Sequence, residues 1–311
     1  MNLAKIKLGR RRFIQAVSAI SLSAGLAPLA AVATQNNRIR RAIPSSGEQL
    51  PVIGLGTSGA FDVGDDKTQQ ASLQKVLQAF FDEGGSVIDT SPMYGSAEYV
   101  LGKLLPHVSH RQALFTATKV WTEGRQAGIE QMRESQRLLG VPVIDLMQVH
   151  NMLDWRVQLE TLRTWKDEGR IRYIGMTTHR GFDHDTLTEI MRSEPLDFVQ
   201  FSYNLANREA ENFLLPLAAE RGIATLINRP FLRGNLFRRV KSKPLPEWAA
   251  EFDCTSWGQF FLKFLVSHPA VTCAIPSTAK VHHLLDNMGA GYGRLPDAGM
   301  RKRMIEYYAA I

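Results

Sequence analysis

The strongest constraint in this chain is an alternation. Short apolar runs give way to stretches of helical period, again and again, from Arg38 onward. The runs at 52–56, 86–89, 113–118, 144–149, 171–176, 198–201, 224–228 and 272–275 read as eight strands. Between the first two, 67–82 carries Leu73, Val76, Leu77, Phe80 and Phe81 at helical spacing. Asp65 or Asp66 is placed to cap its start and Gly84 to end it. Another helix follows Asp154, sets Leu159, Leu162 and Trp165 on one face, and stops at Gly169. Further helices are predicted over 97–105, 125–139, 183–192, 208–221, 256–267 and 281–288. Eight βα units in a chain of this length predict an α/β fold, a (β/α)8 TIM barrel. A doubly wound sheet shares the alternation, but it usually has six strands and a Gly-x-Gly-x-x-Gly turn that opens a helix directly. Here Gly54-Leu55-Gly56-Thr57-Ser58-Gly59 is separated from the next helical period by a loop. Ahead of the first barrel strand, 38–50 with Ser45-Ser46-Gly47 at its centre predicts an N-terminal hairpin.

Composition agrees with a globular chain. Of 311 residues, 44% are hydrophobic and 22% charged, which excludes the disordered and collagen-like classes. The formal charge of +7 is unevenly placed: residues 1–33 hold Lys5, Lys7, Arg10, Arg11 and Arg12 and no acid, so the remainder carries only +2. A nucleic-acid partner thereby loses its main argument. The first segment reads as an address. A basic stretch ends in Arg10-Arg11-Arg12-Phe13-Ile14, an apolar run to Ala33 is diluted by Ser18, Ser21, Ser23, Gly25 and Pro28, and Ala31-Val32-Ala33 closes it with small residues. This resembles a twin-arginine export signal. An uncleaved membrane anchor is the competing reading, and Pro28 with the serines makes a poor span. The expected organisation is a signal peptide over 1–33 and one barrel domain over 34–311. The protein is expected to be periplasmic, with the twin-arginine export machinery as a partner and the mature form not membrane-embedded. Cys254 and Cys273 cannot build a disulfide framework, and Cys273, in an apolar strand, is expected to be a buried free thiol.

In such a barrel the functional face lies at the C-terminal ends of the strands. Asp89 with Tyr94 just beyond it, Lys119 and His150 fall there on three consecutive strands. Neighbouring strands run about 4.8 Å apart, so these side chains can touch. Singly each has an ordinary explanation: a turn cap, a packed aromatic, a solvated charge, a structural histidine. Together, at one end of adjacent strands, they point to a site. A strand-end lysine can form a Schiff base, but a carboxylate beside it keeps it protonated and non-nucleophilic. No metal is expected, because His107 with His110 and His282 with His283 lack carboxylate or cysteine partners.

These residues sit in ordered motifs that resemble those of the aldo-keto reductases. Gly54-Leu55-Gly56-Thr57 fits the opening strand and Asp89-Thr90-Ser91-Pro92-Met93-Tyr94-Gly95-Ser96-Ala97-Glu98 the Asp-x4-Tyr-Gly-x-x-Glu signature. Thr116-Ala117-Thr118-Lys119 fits the lysine strand and Asp145-Leu146-Met147-Gln148-Val149-His150 the histidine strand. Gly169 to Gly175 fits the central signature, and Ile275-Pro276-Ser277-Thr278 through Asp286-Asn287 the cofactor-binding end. The resemblance implies carbonyl reduction with hydride from a nicotinamide cofactor. Tyr94 is then the acid, Lys119 the cation that eases its ionisation, Asp89 the group that holds Lys119, and His150 a hydrogen-bonding partner of the substrate oxygen. A cation about 4 Å away is worth on the order of 4 kcal/mol at an effective dielectric of 20, or roughly three pKa units before desolvation opposes it. An unusually acidic Tyr94 is therefore expected.

The same resemblance implies the cofactor contacts. Gly56 and Thr57 lie at the opening strand, and Thr177, Thr178 and Gln200 near the carboxamide. Asn228 stands where the family commonly stacks an aromatic. Pro230, Leu232 and Gly234 belong to a loop crossing the pyrophosphate, with Ser277 and Thr278 opposite. Lys280 is the cation for the adenosine 2′-phosphate, His283 stands where arginine is frequent, and Asp286 and Asn287 fit adenine. Lys280 favours NADP(H), with NAD(H) as the alternative. Phe61 and Trp121, with Met93 and Met152, either line an apolar substrate mouth or pack in the core. The expected function is reduction of small-molecule aldehydes or ketones to alcohols. The alternative is a non-catalytic nicotinamide-binding scaffold or redox sensor, whose expected mark, loss of one of the four residues, is missing here.

Overall fold

The computed structural model describes residues 38–179 and 183–311. The predicted export segment 1–33 lies outside the described residues. Two short strands come first, β1 (Arg40–Ala42) and β2 (Gln49–Pro51), paired antiparallel with Arg41 opposite Leu50. They form the predicted hairpin, and Gly47 turns it at φ +76°, a conformation only glycine adopts at no steric cost.

Eight parallel strands then follow in sequence order around one sheet. They are β3 (Leu55–Gly56), β4 (Val87–Asp89), β5 (Phe115–Val120), β6 (Ile144–His150), β7 (Ile171–Thr177), β8 (Phe198–Ser202), β9 (Ala224–Asn228) and β10 (Cys273–Ala274). The first and last strands meet: Gly54 N–H donates to Ala274 O at 2.8 Å, and Gly56 N–H to Pro276 O at 3.0 Å. The sheet is thus the (β/α)8 barrel that the alternation predicts. Around it run α1 (Lys67–Asp82), α2 (Ala97–Leu104), α3 (Arg125–Leu139), α4 (Trp155–Asp167), α5 (His184–Ser193), α6 (Leu214–Arg221), α7 (Asn235–Val240), α8 (Trp257–Val266), α9 (Val281–Gly289) and α10 (Ala298–Ala310). Asp66 caps α1 by accepting from Gln69 N–H at 2.9 Å. Among the described residues no helix is long and apolar enough to cross a membrane.

Side chains of a strand point alternately inward and outward. The inward set changes character along the barrel axis. Its lower layers are apolar: Val87, Phe115, Leu146, Tyr173, Phe198, Ala224 and Leu226 form one buried cluster with Cys273. The hairpin's Ile43 and Leu50 join that cluster and plug the lower mouth. Further along, the inward positions become Asp89, Gln148 and Gln200, two residues past Val87, Leu146 and Phe198, and Lys119, two past the buried Ala117. Gly175 stands at this level on β7, opposite Gln148. A Cβ there would lie 3.1 Å from the Gln148 side chain and 3.0 Å from Phe198 O, so the missing side chain makes room for the glutamine. The barrel is sealed and apolar at one end and polar at the other.

Candidate active site

Strand register assembles the site. Asp89 ends β4, Lys119 is the penultimate residue of β5, and His150 ends β6. Asp89 pairs in register with Ala117, two residues before Lys119, and Lys119 pairs with Gln148, two before His150. The period of two therefore turns all three into the upper barrel. Lys119 is fully buried. Its Nζ donates to Asp89 Oδ2 at 2.7 Å and to Thr90 O at 2.7 Å. The Tyr94 phenol lies beside it, with the ring centre 5.1 Å from the ammonium. Two of its three donors are thus used within the protein, and the third is available toward the phenol. Burial opposes its charge, but Asp89 and Tyr94 hold the Lys119 pKa above the ordinary lysine value.

Asp89 is held from the other side by two amides. Its Oδ1 accepts from Gln200 Nε2 at 2.8 Å and from Gln148 Nε2 at 3.2 Å. Gln200 Nε2 also donates to Gln148 Oε1 at 3.1 Å, so both of its amide hydrogens serve the protein. Gln200 thus orients Asp89 from the cavity wall, where the resemblance sets it near the carboxamide.

Tyr94 lies at the cavity wall. Burial, the largest influence, raises its pKa, Lys119 and Arg229 offset part of this, and the phenol stays above its usual value. The expected acidic phenol is reversed for a physical reason: partial burial penalises phenolate more than one ammonium, already shared with Asp89, can favour it. His150 stands edge-on to Tyr94, with ring centres 5.9 Å apart and planes at 89°. Burial first, then the charges of Lys119 and His179, push the His150 pKa down to about 2, so the imidazole is neutral.

These groups open into a cavity of about 1060 Å³. Of the predicted cofactor residues, Gly56 and Thr57 line it beside β3, and Thr177 and Gln200 from β7 and β8. Asn228, Pro230 and Gly234 line it from the end of β9 onward, and Ser277, Thr278, His283, Asp286 and Asn287 from the segment entering α9. Asp286 is oriented by Ser256 Oγ at 2.8 Å and Gln259 Nε2 at 3.1 Å. Three predicted contacts are not on the wall. Thr178 is buried and its hydroxyl donates to Asp183 at 2.8 Å. Leu232 packs against the core, and Lys280 is exposed at the N-cap of α9. Phe61 is fully buried in the core and leaves the substrate mouth to others, because the turn at 57–61 folds it inward. Trp121 is 40% exposed, with its ring centre 6.4 Å from that of His150. Met93, Phe231 and Phe237 add apolar surface to the wall.

Sequence reasoning gave no role to Ser91, Gln148 or His179, and it placed Arg233 within the loop 231–235 that the resemblance sets across the pyrophosphate. Gln148 had a legible signal, since it is the one amide inside the apolar run before His150. The side chains of His179 and Arg233 reach the cavity through loop geometry, which carries no periodic signature. Arg233 and its neighbours Leu232 and Gly234 all have positive φ, at 53°, 48° and 85°. Among the described residues no group of three or more His, Cys, Asp or Glu side chains is arranged to hold a metal.

The chain is similar to several known proteins. The Aldo-keto reductase YhdN of Bacillus subtilis (strain 168) is 30% identical over 209 residues, which span 62% of this chain and 62% of that protein. The chain therefore aligns with less than two thirds of that relative's length. The Methylglyoxal reductase YeaE of Escherichia coli (strain K12) is 27% identical over 257 residues, 80% of this chain and 88% of that protein. Among solved structures, the aldo-keto reductase AKR11C1 from Bacillus halodurans in its holo form superposes with a TM-score of 0.71 at 22% identity, covering 87% of this chain and 96% of that one. An aldo/keto reductase from Klebsiella pneumoniae in complex with NADP and acetate superposes at 0.68 with 23% identity, covering 84% and 93%. These likenesses concern the fold. The model of the Aldo/keto reductase family matches residues 52–302, and on that match this chain belongs to the aldo/keto reductase family.

Proposed function

We propose that this chain reduces aldehydes or ketones to alcohols, with NADP(H) as redox partner and Tyr94 as the acid that protonates the carbonyl oxygen. The donor set of the cavity fits such a cofactor. Arg233 supplies a cation, Ser277 and Thr278 hydroxyls and His283 a neutral imidazole suited to phosphates, and Thr177 and Asn228 supply polar groups toward the four-residue cluster. The volume of about 1060 Å³ leaves room for a small substrate beside it. When bound, the nicotinamide supplies the hydride, which no side chain can donate.

The protein's own residues handle charge and the proton. The carbonyl oxygen becomes negative as the carbon is reduced, so a donor must wait there. Tyr94 is that donor. Its raised pKa keeps it protonated at rest, as an acid must be. Lys119 acts when the proton leaves, because its ammonium lies 5.1 Å from the Tyr94 ring centre and its charge favours the phenolate being formed. Asp89, braced by Gln148 and Gln200, keeps Lys119 charged and aimed. His150, neutral at the wall, orients the carbonyl. The apolar Met93, Phe231 and Phe237 favour carbonyl compounds with apolar substituents.

The observation that carries the reading is the buried Asp89–Lys119 pair beside Tyr94 at the wall of a large cavity. The test is NADPH-dependent reduction of a panel of aldehydes by the wild type and by Tyr94→Phe. The variant should lose about 10²–10⁴-fold in kcat/KM, the range of general acid catalysis, while binding NADPH as before. A Tyr94→Phe enzyme of unchanged activity would refute the assignment. A wild type that binds NADPH yet reduces nothing would favour a binding scaffold. The leader with Arg10, Arg11 and Arg12 supports a further element of the proposal: export in the folded, cofactor-loaded state to the periplasm.

A further inference from the structure

The mechanism leaves one buried hydroxyl unused. Ser91 is fully buried two residues after Asp89, and its Oγ lies 2.9 Å from His150 Nδ1. The same Oγ accepts from the Met93 backbone N–H at 3.1 Å. A serine hydroxyl has one hydrogen and two lone pairs. With one lone pair taken by Met93, the hydroxyl hydrogen needs an acceptor, and among the described residues His150 Nδ1 is the one within reach. We propose that Ser91 is a positioning residue: by donating to Nδ1 it fixes His150 in the tautomer that carries its proton on Nε2, facing the cavity.

The consequence is directional. A neutral imidazole has one N–H and one lone pair, and the partner of one nitrogen decides what the other presents. If Nδ1 carried the proton, it would donate to Ser91 and leave the serine hydrogen without an acceptor in a buried site. Nε2 would then meet a carbonyl oxygen lone pair to lone pair. With Ser91 donating, Nε2–H meets the oxygen as a second donor beside the Tyr94 hydroxyl. The ring is held for this by Tyr94 edge-on at 5.9 Å and by Trp121 at 6.4 Å. Met93 N–H occupies one of the two lone pairs of Ser91 Oγ and so helps to orient the hydroxyl. The loop that supplies Ser91 and Met93 also carries Tyr94, so one segment sets both donors.

This proposal rests on the reductase reading for its kinetic effect but not for its structural content. The structural test is long-range ¹H–¹⁵N correlation on the full chain labelled at histidine, with His150→Gln identifying the signals of His150. The expected pattern is an unprotonated Nδ1 and a protonated Nε2. A protonated Nδ1 in the wild type overturns the proposal, whether or not any carbonyl is reduced. The kinetic test is Ser91→Ala. It should mix the tautomers and lower kcat/KM on the order of tenfold, with NADPH affinity unchanged. Ser91→Thr, which keeps the hydroxyl, should restore the Nε2–H pattern and most of the rate. A Ser91→Ala protein that folds, keeps the wild-type tautomer and stays within twofold of wild-type kcat/KM also overturns it. If the wild type reduces no carbonyl but has the expected ¹⁵N pattern, the reductase reading fails and the role of Ser91 stands.

Discussion

At the residue scale the site separates two groups that can both meet a carbonyl oxygen by driving their pKa values to opposite ends. Tyr94 is raised above its usual value, chiefly by burial, and His150 is lowered to about 2 by burial, Lys119 and His179. Neither changes charge across the ordinary working range. The sign for each follows. An acid with a raised pKa remains protonated until the pH passes above about 10, so activity in the reductive direction falls only on the alkaline side. A histidine with a pKa of about 2 contributes no acid limb near neutrality. We expect kcat/KM for reduction to be level within about twofold from pH 5 to 9, as far as these two groups govern it. A steady-state pH profile checks this. A step near pH 6.5 that disappears in His150→Gln would mean that His150 titrates in the working range, contrary to its dry setting.

Elements are held in place by buried polar groups as well as by the apolar core, and α8 gives a clear case. Lys263 on this helix is fully buried, and its Nζ donates to Phe252 O at 2.9 Å, Tyr292 O at 2.7 Å and Arg294 O at 2.9 Å. One ammonium thus ties α8 to the turn at Glu247–Phe252 and to the segment preceding α10. Lys263→Met keeps the volume but removes all three donors. The carbonyls left behind cost about 1–3 kcal/mol each where they stay dry, so a loss of roughly 3 kcal/mol and a fall in Tm of about 6–12 °C are expected. Thermal unfolding followed by circular dichroism checks this, and a Tm within 2 °C of wild type would show that water takes over the carbonyls. Such ties are hard to read from sequence, where Lys263 is one lysine in an apolar helix. The barrel itself was legible because its apolar runs are dense and evenly spaced. Boundaries were less so. The expected strand 113–118 is found as Phe115–Val120, since the single turn Arg111–Ala113 consumes its start and the apolar run carries the chain past Lys119. The expected helix 208–221 is split into the turn Glu209–Glu211 and α6, because Pro216 is tolerated only in a first helical turn. Helix α10 went unread because it buries only Met304 and Tyr308, too thin an apolar stripe to stand out. At the site, strand periodicity revealed Asp89, Lys119 and His150, whereas Arg233 and His179 depend on loop paths that no period encodes.

For the whole molecule, the polarity of the barrel and the export proposal meet in one argument. The hairpin closes the lower end with Ile43 and Leu50, and Arg172 braces it by pairing with Asp145 on β6 at 2.5 Å and with Glu48 of the hairpin. The upper end depends on segments from the C-terminal third, namely the loop after β9 and the stretch entering α9, which line the cavity with Arg233, Ser277, Thr278 and His283. A ligand that touches all of them consolidates late parts of the chain. By linkage, cofactor at about 100 times its Kd stabilises the fold by about 2.7 kcal/mol. Under the export proposal, folding in the presence of cytoplasmic cofactor would yield loaded protein, and an export route for folded proteins would carry the cofactor along. Native mass spectrometry of protein released from the periplasm by osmotic shock tests both halves of the idea. The expected species is the chain lacking residues 1–33 with one NADP(H) bound. Bound NAD(H) instead would reject the proposed 2′-phosphate preference, which leans on Lys280 at the start of α9 because His283 is kept neutral by burial and by the charges of His282 and Lys280. Folded, cofactor-free protein in the periplasm would reject loaded export, and the reductase would then have to capture its redox partner outside the cytoplasm.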